Sequence, residues 1–134
     1  MSLIQLVNLK RIGDERGALV AIEGELTVPF SIKRVYYIFD TRQEVSRGFH
    51  AHQNLQQIAV CIKGSCRFVL DDGKSRDEVL LKSADKGLII KDLIWREMHD
   101  FSEDCVLLVL ASEKYNENDY IRSYENFLKL VKNK

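Results

Sequence analysis

The 134-residue sequence is poor in the residues that interrupt a fold. It contains one proline, Pro29, and seven glycines, and it has no repeat, low-complexity stretch or proline-rich linker. A chain of this length is typical of one domain and is long enough to bury a core. We therefore predict a single domain over residues 1–134.

The sequence also has no excess of positive or negative charge and no long apolar run. Twenty Lys and Arg residues balance twenty Asp and Glu residues, so the formal net charge is +0. This balance removes the usual electrostatic basis for binding nucleic acid. No apolar run approaches the roughly 20 residues of a membrane helix, and the N-terminus lacks a secretion-signal pattern. We expect a cytoplasmic protein without nucleic-acid or membrane partners.

The three cysteines, Cys61, Cys66 and Cys105, each lie in an apolar run. An odd number of cysteines inside predicted strands indicates buried free thiols in a reducing compartment. Their separations do not match those of paired metal-binding cysteines. We therefore expect neither a disulfide framework nor a cysteine metal site.

Most of the sequence consists of short runs of β-branched, aromatic and aliphatic residues between polar or glycine-containing breaks. This pattern predicts an all-β sandwich or barrel. Asp71-Asp72-Gly73-Lys74 is typical of a tight hairpin turn. Apolar residues at three- and four-residue steps predict one C-terminal helix at about 117–132. The predicted strands are Ile4–Leu9, Ala18–Glu23, Ile32–Phe39, Gln56–Lys63, Ser65–Leu70, Glu78–Leu81, Gly87–Lys91 and Cys105–Ala111.

Two of the three histidines, His50 and His52, are separated by one residue. In a strand, residues two apart project to the same side, so both imidazoles would face one space. Imidazole titrates near neutral pH and also binds metals. The pair therefore indicates acid/base catalysis or a metal site, and two surface histidines on an edge strand are the simpler alternative.

The spacing around this pair resembles that of the cupin barrels. His50-Ala51-His52 is followed by four residues, Gln57, six residues and Gly64. In metal-binding cupins a glutamate stands at the position of Gln57, and a later histidine stands at about the position of Arg96. An amide and a permanent cation are poor ligands for a divalent metal. The resemblance therefore implies a cupin or jelly-roll barrel with a C-terminal helix, without a metal or other cofactor.

A narrower resemblance runs along nearly the whole chain. The sequence resembles the sugar 3,4-ketoisomerases that act on dTDP-4-keto-6-deoxy-glucose. This implies an isomerase that moves a ketone from C4 to C3 and supplies 3-amino-3,6-dideoxy sugars for bacterial surface glycans. It also implies a homodimer, often with exchanged N-terminal strands. The matching segments, in order, are 14–17, 29–37, 47–52, 95–101 and 119–122.

Under this resemblance His50 and His52 supply the proton transfers, and the sequence does not decide which of them is the base. We choose Tyr37 as a phenol that donates to a sugar oxygen. Tyr36 would point to the opposite face of the strand, and it is the alternative. For His99 we expect a structural hydrogen-bonding role.

Five further residues are candidates for binding the substrate. Arg16 and Arg47 each precede a glycine, and guanidinium groups bind phosphate oxygens in a forked geometry. Arg34 is the next candidate for the diphosphate. Gln57 and Arg96 are expected to line the sugar pocket. The C4 configuration of the product, galacto or gluco, is not decided by the sequence.

Two other functions fit parts of the pattern. A metal-dependent cupin enzyme would use the histidine pair as ligands. A non-catalytic cupin would bind a sugar nucleotide without turnover. The first requires bound metal, and the second requires binding without exchange of the sugar's protons with solvent.

Overall fold

The computed structural model describes residues 2–133 and is built mainly of β-strands. The predicted domain limits, residues 1 and 134, lie outside the described residues. The strands are β1 Leu6–Asn8, β2 Arg11–Asp14, β3 Gly17–Val20, β4 Arg34–Ile38, β5 Arg47–His52, β6 Gln57–Lys63, β7 Cys66–Asp71, β8 Arg76–Leu81, β9 Lys86–Ile90, β10 Trp95–His99, β11 Val106–Ala111 and β12 Tyr120–Ile121, and the helix is α1 Tyr124–Lys132.

Two five-stranded antiparallel sheets enclose the core. The first has the order β1-β9-β6-β11-β4 and the second has the order β12-β5-β10-β7-β8. The largest cluster of buried apolar side chains contains residues of both sheets, including Phe68, Leu88 and Leu107. The prediction of an all-β fold with a C-terminal helix is therefore confirmed.

Alternation along β6 shows how the sequence determines the two faces of the first sheet. Ala59 and Cys61 belong to the core between the sheets, and Ile58 and Val60 lie on the opposite face. This outer face is covered by Leu9, Val28 and Phe30 from the N-terminal segment. Both faces of β6 are thus buried, which explains why its sequence is almost continuously apolar.

The N-terminal region also contains a hairpin that was not predicted in full. Arg11–Asp14 pairs with Gly17–Val20 as a separate two-stranded sheet. Only the second of these strands was anticipated, because β2 is short and exposed along its whole length. The turn at 71–75 agrees with its prediction, since Gly73 has a φ of 94° and Asp72 N–H donates to the Ser75 carbonyl.

The C-terminal helix begins later than predicted. It starts at Tyr124, where the Ser123 hydroxyl accepts a hydrogen bond from the Asn126 amide at 3.2 Å and caps the first turn. Residues 117–119 form a short 3₁₀ turn instead, and Tyr120–Ile121 pairs with β5. The apolar period runs on into residues before the helix because Ile121 of β12 packs in the same cluster as Phe127 of α1. Among residues 2–133, no helix is long and apolar enough to cross a membrane.

Candidate active site

The two histidines lie side by side on β5, a strand paired with β10 on one side and β12 on the other. The ring centroids of His50 and His52 are 4.9 Å apart, and the rings are nearly perpendicular. Ala51 between them points to the opposite face and is fully buried beneath α1. The predicted alternation therefore holds, and the two imidazoles share one space.

Both imidazoles are held in their neutral form. Burial, assisted by the charge of Arg96, lowers the pKa of His50 to about 4 and that of His52 to about 2. The Nδ1 atoms of both rings are buried without a hydrogen-bond partner within the described residues. Buried polar atoms are normally hydrogen-bonded. Around these two atoms the neighbouring groups are the Gly48 backbone beside His50 and the Asp119 carboxylate beside His52.

Arg96 lies inside the barrel beside the histidines. It is on β10, only 3% exposed, and its guanidinium donates to Gln57 Oε1 and, at 3.1 Å, to the Ile94 carbonyl. Gln57 Nε2 then donates to the Tyr36 hydroxyl at 3.1 Å. Burial lowers the pKa of Arg96 to about 10, so the group stays charged at neutral pH. The interior thus holds one cation connected through an amide to a phenol.

The preference for Tyr37 over Tyr36 is corrected by these positions. Tyr37 is 62% exposed on the outer face of β4, and its ring contacts Phe39. Tyr36 points inward to Gln57, and burial raises the pKa of its phenol despite the opposing charge of Arg96. Adjacent residues on a strand face opposite sides, so only one of the two tyrosines could enter the pocket.

Two residues near the histidines were not identified from the sequence. The Asp119 carboxylate lies 3.3 Å from His52 Nδ1, outside hydrogen-bond geometry, and accepts a hydrogen bond from the Asn54 amide at 2.8 Å. The Tyr120 ring packs against both imidazoles, with centroids 4.3 Å from His52 and 5.1 Å from His50. The segment 119–122 belongs to the motifs that carry the family resemblance, but a helix predicted over about 117–132 does not bring it to the histidines.

A pocket of about 510 Å³ opens onto this group. His50, Tyr36 and Tyr120 line it, together with three arginines, Arg34, Arg47 and Arg122. Arg34 Nε is buried without a hydrogen-bond partner among the described residues. Other concavities of similar size occur on the surface, and this one is distinguished by its three arginines and by the His50 imidazole. The arrangement can bind a polyanion at its rim and carry out proton transfer at its base.

Arg16, the remaining predicted binding residue, lies elsewhere in the described chain. It is at the tip of the β2–β3 hairpin, where its exposed guanidinium pairs with Asp14 at 2.6 Å. The structure therefore brings together His50, His52, Arg34, Arg47, Gln57 and Arg96, and it does not bring Arg16 or Tyr37 to them.

The donor groups at this site suit proton transfer better than metal binding. Within residues 2–133, no group of three or more His, Cys, Asp or Glu side chains is placed to hold a metal ion. Gln57 and Arg96 occupy the positions that the cupin spacing assigns to further ligands, and the guanidinium would repel a divalent cation.

Comparison with known proteins identifies the family of this chain. The family model described as "FdtA: WxcM-like, C-terminal" matches residues 2–132. A curated TDP-4-oxo-6-deoxy-alpha-D-glucose-3,4-oxoisomerase from Aneurinibacillus thermoaerophilus is 57% identical over 127 residues, which are 95% of this chain and 91% of the relative.

Two crystal structures of bacterial enzymes are similar along their whole length. A 3,4-ketoisomerase from Helicobacter canadensis is 44% identical with a TM-score of 0.95, covering 98% of this chain and 99% of that one. A histidine-to-asparagine mutant of the 3,4-ketoisomerase QdtA from Thermoanaerobacterium thermosaccharolyticum, in complex with TDP-4-keto-6-deoxyglucose, is 42% identical with a TM-score of 0.96, covering 100% and 97%. The chain belongs to the FdtA-like family of cupin-fold sugar 3,4-ketoisomerases.

Proposed function

We propose that this isomerase moves the ketone of dTDP-4-keto-6-deoxy-D-glucose from C4 to C3 by histidine acid/base catalysis, without a metal or other cofactor. The observation that carries the catalytic part is the neutral His50 imidazole in an arginine-rimmed pocket, with the neutral His52 imidazole and the buried Arg96 guanidinium close to it. The choice of substrate is supported by the ligand of the QdtA complex and by the name of the curated relative.

His50 is assigned as the base that contacts the sugar. It lines the pocket, whereas His52 lies behind it, is 1% exposed and faces Asp119. A neutral imidazole can accept the proton at C3 of the sugar. The negative charge of the bound diphosphate and of the developing enediolate would raise the pKa of His50 from its value in the free enzyme. The base therefore becomes stronger when substrate arrives.

The proton balance of the reaction closes without another reactant. Loss of the C3 proton to His50 forms the C3–C4 double bond and leaves the former ketone oxygen, O4, as an oxyanion. The proton on O3 is transferred to O4, and the His50 imidazolium returns its proton to C4, either directly or after passing it to His52. The product carries a ketone at C3 and a hydroxyl at C4.

Arg96 and Tyr36 are the groups placed to stabilise the oxyanion. The guanidinium supplies a fixed positive charge inside the barrel, where water does not screen it. The Tyr36 hydroxyl accepts its hydrogen bond from Gln57 and so keeps its own proton free for a sugar oxygen. Because these groups are already positioned by the β4, β6 and β10 strands, little reorganisation accompanies charge formation.

Arg34, Arg47 and Arg122 are assigned to the diphosphate. All three line the pocket, and Arg122 is oriented by paired hydrogen bonds to Glu117 at 2.8 and 3.0 Å and by stacking over the Tyr120 ring at 4.2 Å. A chain with a net charge of +0 can bind a dianionic group in this way because its positive charges are concentrated locally.

We also propose that the protein is a homodimer. β4 is an edge strand, and the side chains of Val35, Tyr37 and, just after the strand, Phe39 are exposed and largely apolar, which is typical of an interface. Arg16 can bind substrate only if a second copy brings the hairpin to a pocket, so exchange of N-terminal segments would give it a role. Light scattering at micromolar concentration tests the dimer, and a monomer would refute it.

Three free buried thiols suit a reducing compartment, so we place the enzyme in the cytoplasm. There its 3-keto product would be available to an aminotransferase that makes 3-amino-3,6-dideoxy sugars.

The catalytic proposal is tested by following dTDP-4-keto-6-deoxy-glucose by proton NMR in D₂O with chelator present. We expect the wild-type protein to form a 3-keto sugar and to introduce deuterium at C3 or C4. His50→Asn should bind TDP with unchanged affinity but catalyse neither change, and Tyr37→Phe is the matched control on the outer face. Turnover by His50→Asn at the wild-type rate would refute the role of this histidine, and turnover only with added metal would favour a metal-dependent cupin.

A further inference from the structure

The strand that carries His50 starts with an irregular segment. In the pairing of β5 with β10, His50 lies opposite Arg96 and Gly48 lies opposite Glu97, so Phe49 is an extra residue that forms a bulge. Phe49 has a φ of 58° and Gly48 a φ of 93°. The first value is unfavourable for a residue with a side chain. Something outside the ladder must therefore hold this segment in place.

A cluster on the outer face of the second sheet contacts both sides of the bulge. We name Ser46, Glu97 and His99 the outer clamp. His99 Nδ1 lies 2.7 Å from the Ser46 hydroxyl, and its ring packs edge-on against Phe49 with centroids 5.6 Å apart. Ser46 is the last residue before β5. The His99 imidazole therefore connects Ser46 to Phe49, on either side of Arg47 and Gly48.

The imidazole is itself held by a carboxylate. His99 Nε2 lies 2.9 Å from Glu97 Oε1, while Glu97 Oε2 accepts from Trp95 Nε1 at 3.0 Å and lies 3.4 Å from Arg76 Nη1. Burial favours the neutral carboxyl, but the contacts from His99, Trp95 and Arg76 lower the pKa of Glu97 overall. An ionised, partly buried Glu97 therefore fixes the orientation of His99.

We propose that His99 is a positioning residue: through Ser46 and Phe49 it fixes the β5 bulge so that Arg47 and His50 point into the pocket. Arg47 lies between the two contacts of the clamp, and His50 follows them directly. Glu97 and His99 themselves face away from the barrel interior, on the side opposite Arg96 and Met98. The effect of His99 on the reaction must therefore pass through the backbone of 46–50.

The geometry allows the two contacts of His99 to be separated by substitution. His99→Phe keeps a ring against Phe49 but removes both hydrogen bonds. His99→Asn places an amide near the position of Nδ1 and can keep the hydrogen bond with Ser46. Ser46→Ala removes the same hydrogen bond by deleting the hydroxyl group. Arg67→Gln is the matched control, because Arg67 lies opposite His99 on β7 and its ion pairs with Asp100 and Glu78 do not involve the bulge.

The inference rests on the proposed sugar-nucleotide site, so one measurement is made without ligand. Hydrogen exchange of the backbone amides of residues 48–50 should be about tenfold faster in His99→Phe and Ser46→Ala, the effect expected for losing about one hydrogen bond. It should be unchanged in Arg67→Gln and largely restored in His99→Asn. If these amides exchange in His99→Phe at the same rate as in the wild-type protein, the proposal is overturned, whether or not the protein binds a nucleotide.

Binding of TDP by calorimetry then tests the connection to Arg47. We expect His99→Phe to raise the Kd for TDP about tenfold, and to have no further effect in a chain that already carries Arg47→Ala. A general loss of stability would instead lower Tm and leave Kd unchanged. Equal affinity in wild type and His99→Phe, or fully additive losses with Arg47→Ala, would refute the positioning role. Failure of wild type to bind TDP would count against the proposed function and not against the clamp.

Discussion

Lowering the pH tests the neutral state of His50 directly. The pKa of this imidazole is lowered from 6.5 to about 4, first by burial and then by the charge of Arg96. At a pH of about 5.5, a histidine with the usual pKa would be neutral in only about a tenth of molecules. His50 should remain neutral in nearly all of them.

The kinetic consequence is a broad plateau. Because kcat/KM reports the ionisation of the free enzyme, it should change less than twofold between pH 7.5 and about 5.5. A base with an ordinary pKa would lose about tenfold over the same range. Initial rates under low substrate concentration measure this profile, and NMR titration of the imidazole signals identifies the group. A tenfold fall centred near pH 6.5 would refute the argument from burial.

The same lowered pKa predicts a change in stability. Since the unfolded chain binds a proton at His50 below pH 6.5 and the folded chain does so only near pH 4, the free energy of unfolding should fall as pH decreases between these values. The difference between 6.5 and about 4 corresponds to about 3 kcal/mol. Urea denaturation of His50→Asn should lack this part of the pH dependence. Parallel curves for the two proteins would contradict the assignment.

Three further substitutions test other parts of the structure. Tyr36→Phe should lower kcat by about 30- to 100-fold because the pocket loses a donor to the sugar oxygen. The kcat of Tyr37→Phe should stay within twofold of the wild-type value. Steady-state kinetics measures both, and the reverse result would refute the assignment of Tyr36. Gly48→Ala should destabilise the fold by about 1–2 kcal/mol, since Gly48 has a positive φ and an added Cβ would lie 3.0 Å from the Arg96 carbonyl oxygen. Urea denaturation measures this loss, and unchanged stability would show that the bulge can relax. Phe127→Ala should cost about 3–5 kcal/mol, because the ring is fully buried in the cluster under α1; a loss below 1 kcal/mol would mean that the helix does not depend on this contact.

Much of the site could be predicted because strand alternation is a local rule. The spacing of His50 and His52 was sufficient to place both rings on one side, and the same rule placed Gln57 inside the barrel. The substitution of Arg96 for a ligand indicated a cation in the interior. Each of these inferences uses only the period of a strand and the position of neighbouring residues.

The errors come from features that the local pattern does not determine. Tyr36 and Tyr37 are both aromatic and adjacent, so choosing between them requires the absolute register of β4 against β11. Asp119 and Tyr120 reach the histidines because β12 adds to the edge of β5, a pairing between residues about 70 positions apart. A helical period running through 117–131 hid this strand, since a two-residue strand is too short to show alternation.

The addition of β12 to β5 has a consequence for how the enzyme is made. The pocket combines side chains from β4, near residue 34, with Tyr120 and Arg122, and α1 follows directly and covers Trp95 with Phe127. A growing chain on the ribosome can assemble the first sheet once residue 111 has emerged, but β5 then still lacks a neighbour on its outer edge. The active site is therefore completed only after Tyr120 and Arg122 have emerged, and a chain that ends before residue 120 would leave the edge of β5 at Ala51 and His52 open to pairing with other chains.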